Sequence, residues 1–223
     1  MTNPAGEAHN DVDYERYAED FPHLFGNVEF FDIEYRAIAE SSGDYVDLGA
    51  GDGSHLRAAI DNGMLEKFTR LIGIELSRER VARIARFVPE AEALAGDALA
   101  IPLPDSSMDF VFSDQVIEHV PDDVAMAREI ARVLKPGAKA LVGSVLKGRF
   151  GWYWRRRNGQ YCLDLTHERE YRSVAQYEAV FSKAGLSVVE SEAIPLRYSG
   201  TSIIMRLLIL LCHKHGRSAI LDA

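Results

Sequence analysis

The sequence predicts an α/β fold: a doubly wound, mostly parallel sheet with helices on both faces and a helical cap at the N-terminus. Three observations carry this. Five short apolar runs, "DYVDLGA", "RLIGIEL", "AEALAGD", "DFVFSD" and "KALVGSV", have the length and composition of strands buried on both faces. Helical patterns separate them at the rhythm that right-handed crossovers between parallel strands require. The first run ends in a glycine-rich loop that opens into a helix, the position at which such sheets hold ligands.

Taken in order, residues 1–13 are polar and acidic, read as disordered, and lack the basic and apolar blocks of an export signal, so a cytoplasmic location is expected. From Tyr14 to Ser42, aromatic and apolar residues recur (Tyr17, Phe21, Leu24, Phe30, Ile33, Tyr35) as one or two short helices, the expected cap over residues 14–42. The core is expected over residues 43–223. "SHLRAAIDNG" is the helix after the first strand and "SRERVARIARFV" the helix after the second. "DDVAMAREIARVLKPG" follows the fourth and stops at Pro136 and Gly137.

After the fifth strand the alternation breaks into an aromatic and arginine-rich segment, an insertion over residues 147–172 on the expected acceptor side. Ser173 and Gln176 form a capping box for the helix "SVAQYEAVFSKAG", which leads to a sixth strand, "LSVVESEAI". The apolar stretch Ile203 to Cys212 is too short to span a membrane and fits a buried helix or a final strand. As an amphipathic helix it would allow peripheral membrane contact.

The chain has 223 residues, 47% of them hydrophobic, enough for a large core. Its 34 acidic against 25 basic residues leave a net charge of −9, which disfavours non-specific binding to nucleic acid or acidic membranes. Cys162 and Cys212 suggest neither a disulfide framework nor a zinc site. His213 and His215 read as a solvated basic tail, so no metal site is expected.

Gly49, Gly51 and Gly53 let the backbone turn sharply with positive φ and let a ligand approach without a Cβ in its way. Glu75 closes the second strand 22 residues after Gly53, where a carboxylate accepts both hydroxyls of a ribose. A dinucleotide fingerprint needs a third glycine where Ser54 stands, so a pyrophosphate is not favoured. Asp97, another 22 residues on, suits an adenine amino group, and Asp47 can hold the loop or a ligand ammonium. The combination calls for adenosine with a cationic, non-phosphorylated tail.

These segments, "VDLGAGDG", "GIELS", "GDALAIPLPDSSMDFVFSDQVIEHV" and "ARVLKPGAKALVGSV", resemble in register the class I S-adenosylmethionine-dependent methyltransferases, a Rossmann-like fold, over about residues 44–146. They are most like the small-molecule group that includes quinone, sterol, lipid and natural-product methyltransferases, to whose later segment "LTHEREYRSVAQYEAVFSKAGLSV" is similar. The resemblance implies S-adenosylmethionine as methyl donor and S-adenosylhomocysteine as product. It implies that Asp47, Gly49, Ala50, Gly51 and Gly53 form the methionine-side loop and that Glu75 binds ribose. Asp97 and Ala98 then bind adenine, while Ser113, Asp114 and Gln115 flank the donor. Leu76 either packs on the adenine or belongs to the core.

The acceptor side is less determined. Tyr14 and Tyr17, one turn apart, either close over the donor or pack the cap. Asp52 either faces solvent, caps the next helix or touches the cofactor. Glu118 and His119 read mainly as local support. His167 is the candidate general base, with Asp164 to orient it, because an imidazole near neutrality can take a proton from an acceptor hydroxyl. "WYWRRR", Trp152 to Arg157, suits an acceptor with a flat body and an acidic group, or single-stranded nucleic acid, or is a solvated charge run. The expected activity is methyl transfer to a small-molecule acceptor. The rivals are an RNA methyltransferase, a cofactor-binding module without catalysis, and a nicotinamide-dependent oxidoreductase.

Overall fold

A computed structural model describes residues 13–20, 28–147, 155–157, 160–162, 164, 166–197 and 204–213. Seven strands form one sheet: β1 (Gly43–Leu48), β2 (Phe68–Glu75), β3 (Glu92–Ala95), β4 (Met108–Asp114), β5 (Leu134–Leu146), β8 (Ser187–Arg197) and β9 (Ile204–His213). Their order is β3-β2-β1-β4-β5-β9-β8, with the first five parallel and the last two antiparallel. A separate hairpin pairs β6 (Arg155–Arg157) with β7 (Gln160–Cys162) inside the expected insertion. Trp152, Tyr153 and Trp154 lie outside the described residues, as does most of the N-terminal segment expected to be disordered.

The strand residues alternate between two apolar layers, as a pleated strand buried on both faces must. Tyr45, Phe110 and Phe112 join Leu56 and Ile84 on one face, with helices α2 (Asp32–Ala39), α3 (Ser54–Asp61) and α4 (Arg78–Phe87). Val46, Leu48 and Val111 join Met126, Ile130, Tyr177 and Phe181 on the other, with α5 (Asp123–Val133) and α6 (Val174–Lys183). Caps fix the helix starts. Ser77 accepts from the Arg80 amide at 3.3 Å and Asp122 from the Ala125 amide at 2.8 Å. Ser173 accepts from the Gln176 amide at 3.2 Å, while the Gln176 side chain accepts from the Arg172 amide at 2.9 Å.

One expectation changes, and one open alternative is decided. α5 ends at Val133, ahead of Pro136 and Gly137, because the chain already pairs with β4 at Leu134 and those two residues sit in a register shift between Met108 and Phe110. The tail is a strand and not a helix: β9 is paired along its length with β5 on one side and β8 on the other. That sets aside the amphipathic helix, the alternative that would have allowed residues 203–212 peripheral membrane contact. Among the described residues no helix is long and apolar enough to cross one.

The sheet order reverses between β1 and β4, so the loops leaving the carboxyl ends of these strands splay apart and open a crevice. α1 (Tyr14–Asp20) packs beside α4 at its rim.

Candidate active site

Left-handed backbone builds the first wall. Gly49, Gly51 and Gly53 have φ of 77°, 57° and 84°, a region that L side chains enter at a cost. Space forbids a side chain as well: a Cβ on Gly49 would stand 2.2 Å from Val116 Cγ2, and one on Gly53 2.9 Å from Val88 Cγ2. The Gly49 and Ala50 amides donate to the Ile74 carbonyl at 2.8 and 3.0 Å, which ties the loop to β2. Glu75 completes the tie. Its Oε2 accepts from the Gly51 amide at 2.9 Å and its Oε1 from the Leu76 and Ser77 amides at 2.9 and 3.3 Å.

The crevice encloses a cavity of about 340 Å³, in the range of small-molecule sites. Of the residues singled out in the sequence, Tyr14, Tyr17, Gly49, Glu75, Leu76, Asp97, Ala98, Asp114 and Gln115 line it. Asp97 holds its own turn, accepting from the Leu99 amide at 2.8 Å. Asp47, Ala50, Gly51 and Gly53 shape the loop from behind. Ser113 is fully buried and donates to the Leu48 carbonyl at 2.8 Å, a bond that stitches β4 to β1. Asp52 does not face solvent; it is buried beside Arg83 at 3.3 Å and Arg80 at 3.8 Å.

Behind the loop the electrostatics are one-sided. Asp47 is buried, and Oδ2 has no hydrogen-bond partner among the described residues. Burial, with Asp114 and Glu75 nearby, holds its carboxyl well above the usual range. Asp114 is pushed up to about 6 by burial, and its Oδ1 is also unpartnered. Gly143 makes room for it, since a Cβ there would lie 2.0 Å from that oxygen. Two carboxyls with orphaned oxygens, the buried Asp47 and the half-buried Asp114 at the cavity wall, suit a ligand that brings positive charge. The residues therefore fit S-adenosylmethionine, whose methionine end carries an ammonium and a sulfonium.

The cap contributes residues that no local pattern advertised. Glu15 accepts from the Ser77 hydroxyl at 2.8 Å and from the Arg78 and Glu79 amides at 2.8 and 3.3 Å, all at the start of α4. Burial works against its charge, but the bonds from Arg78, Ser77 and Glu79 hold its carboxyl below the usual range. This anchor sets Tyr14 and Tyr17 over the cavity, with the Arg80 guanidinium 5.6 Å from the Tyr17 ring centroid. Arg80 lines the cavity too. Its signal was its place in the first turn after the ribose-side strand.

The expected base is displaced. His119, not His167, lines the cavity, together with Val120 and Thr166. His167 is buried and packs edge-on against His119, ring centroids 4.8 Å apart. Its Nδ1 is 3.4 Å from Glu170 Oε1, and Glu170 is paired with Lys147 at 2.8 Å. The Asp164 carboxylate accepts from the Thr166 amide and hydroxyl, both at 2.8 Å.

The methyltransferase-domain family matches residues 46–142. The 2-methyl-6-phytyl-1,4-hydroquinone methyltransferase of Synechocystis is 35% identical over 101 residues, 44% of this chain and 30% of that protein. The 27-O-demethylrifamycin SV methyltransferase of Amycolatopsis mediterranei is 31% identical over 108 residues, 45% of this chain and 38% of that protein. The chain thus spans well under half the length of these curated relatives. In fold it is similar to a solved S-adenosylmethionine-dependent methyltransferase from Methanosarcina mazei, with TM-score 0.62 at 16% identity over 85% of this chain and 100% of that one.

Proposed function

We propose that this chain, whose residues 46–142 match the methyltransferase-domain family, is a class I S-adenosylmethionine-dependent methyltransferase that moves a methyl group from S-adenosylmethionine to a small-molecule acceptor. The observation that carries the proposal is the pairing of a left-handed glycine loop with two carboxyls, the buried Asp47 and the half-buried Asp114, each with one oxygen that has no partner among the described residues, at the switch point of the sheet. Glu75 takes the ribose, Asp97 and Ala98 the adenine, and Asp47 with Asp114 the cationic end. When bound, the sulfonium supplies a methyl that is already electrophilic. The work left to the protein is alignment and exclusion of water, which can contribute ~7 to 11 kcal/mol. Tyr14 and Tyr17 on the anchored cap serve the second task. Val116, Val120 and His119 form the acceptor wall, and of the two imidazoles His119 is the one placed to touch an acceptor.

Two relatives are named for a hydroquinone and a rifamycin, which supports an aromatic or apolar acceptor for this chain as well. Calorimetric titration with S-adenosylmethionine, S-adenosylhomocysteine and NAD tests the reading. Binding of the first two, absent for NAD and weakened at least tenfold in Glu75→Ala, is expected. Binding of NAD alone, or of none of the three, overturns it.

A further inference from the structure

The fold brings together a group of side chains that the cofactor does not use. Glu118 leaves the end of β4 and its carbonyl accepts from the Glu168 and Arg169 amides at 2.8 and 3.3 Å, so the loop after β4 is clamped to the segment before α6. That clamp places one ligand atom each of Glu118, His119 and His167 within 4.8 Å of one another. Glu118 is fully buried; Ser144 donates to its Oε2 at 3.1 Å, while Oε1 has no partner among the described residues. The His119 ring hydrogen-bonds to the Thr166 backbone, and its Nδ1 has no partner among the described residues. His167 sets its Nδ1 against the Glu170 carboxylate.

We propose that Glu118, His119 and His167 form a binding site for one divalent transition-metal ion of the zinc class. Two imidazoles and one carboxylate are a donor set for such ions, whereas magnesium and calcium favour oxygen alone. The outer partners are those that metal-ligating side chains require. Glu170 on one imidazole, the Thr166 backbone on the other and Ser144 on the second carboxylate oxygen fix ring orientation and tautomer. Bond lengths near 2.1 Å put neighbouring ligand atoms about 3.4 Å apart, so the three side chains close by about an ångström around the ion. Three protein ligands leave a coordination position open. Because His119 lines the cavity, the ion borders the acceptor wall, and its role there, polarising an acceptor oxygen, rests on the methyl-transfer reading.

The test uses untagged full chain, stripped with a chelator and titrated with Zn²⁺ and, separately, Mn²⁺, with metal content measured after dialysis. One equivalent of Zn²⁺ and a raised melting temperature are expected. Glu118→Gln, which preserves shape, is expected to lose about a hundredfold or more in affinity, and Glu170→Gln about tenfold or more. A Cys212→Ser, His213→Ala, His215→Ala variant is expected to keep the equivalent. The proposal is overturned if the stripped chain takes up no ion, or if uptake is unchanged in Glu118→Gln or lost in the tail variant. Titrating the same proteins with S-adenosylhomocysteine separates the two readings, since loss of metal with the nucleoside still bound leaves the cofactor site standing.

Discussion

The two halves of the cavity are held by different means. On the β1 and β2 side, the wall is backbone: three left-handed glycines, amides tied to Ile74 and Glu75, and no tolerance for a Cβ at Gly49. On the side after β4, the wall is side chains from distant parts of the chain. The Arg169 guanidinium donates to the carbonyls of Ile117, Val120 and Pro121, and the Tyr171 hydroxyl to Asp123. A wall of backbone holds one shape for an invariant ligand. A wall of side chains can be redrawn by substitution while the sheet stays as it is, which suits the part of a site that meets different acceptors.

The largest test of this contrast is Gly49→Ala. A methyl 2.2 Å from Val116 on a residue with φ of 77° is expected to destabilise the fold by about 3 kcal/mol or more and to abolish S-adenosylhomocysteine binding, read by urea denaturation and calorimetry. Near-normal binding would show that the loop is not the rigid half.

Arg169→Ala is expected to cost about 2 to 3 kcal/mol, because three carbonyls lose a charged donor. Its affinity for S-adenosylhomocysteine should stay within a few-fold of the parent. Equal damage to cofactor binding would mean the walls are mechanically coupled and would dissolve the distinction.

The smallest effect is in pH. Glu34, buried under the backbone wall, is pushed up to about 7 by burial, with Asp114 adding to it. A carboxyl raised in the folded state from 4.5 costs stability as pH climbs from about 4.5 to 7, where the folded chain holds a proton the unfolded chain has released. His55, 3.8 Å away, gives no compensating charge, since burial lowers it to about 4 and keeps it neutral in this window. Glu34→Gln can still accept from the Phe31 amide. Its melting temperature should therefore gain steadily on the parent's between pH 5 and 8. A difference that stays flat or shrinks with rising pH would show Glu34 ionised and solvated.

The same contrast explains what could be read from the chain. Gly49, Gly51, Gly53, Glu75 and Asp97 stand at strand ends in regular spacing, because backbone geometry imposes its demands on neighbours in sequence. His119 and His167 are 48 residues apart, separated by α5 and β5, and no periodicity links an imidazole to the partner that turns it. Glu15 was hidden for the same reason, since its bonds lie across the fold on α4. The tail was ambiguous between helix and strand because a nearly uniform apolar run has no polar face to set a period.

β8 has one neighbour in the sheet, β9, and β9 is the link between it and β5. During synthesis, residues 187–197 emerge before the strand they must pair with. β5 meanwhile presents a bare apolar edge until residues 204–213 arrive to sit between them. The five parallel strands that carry the glycine loop need nothing from that insertion and can assemble first. Until residues 204–213 are in place, the β5 edge is open to pairing with another copy of the chain.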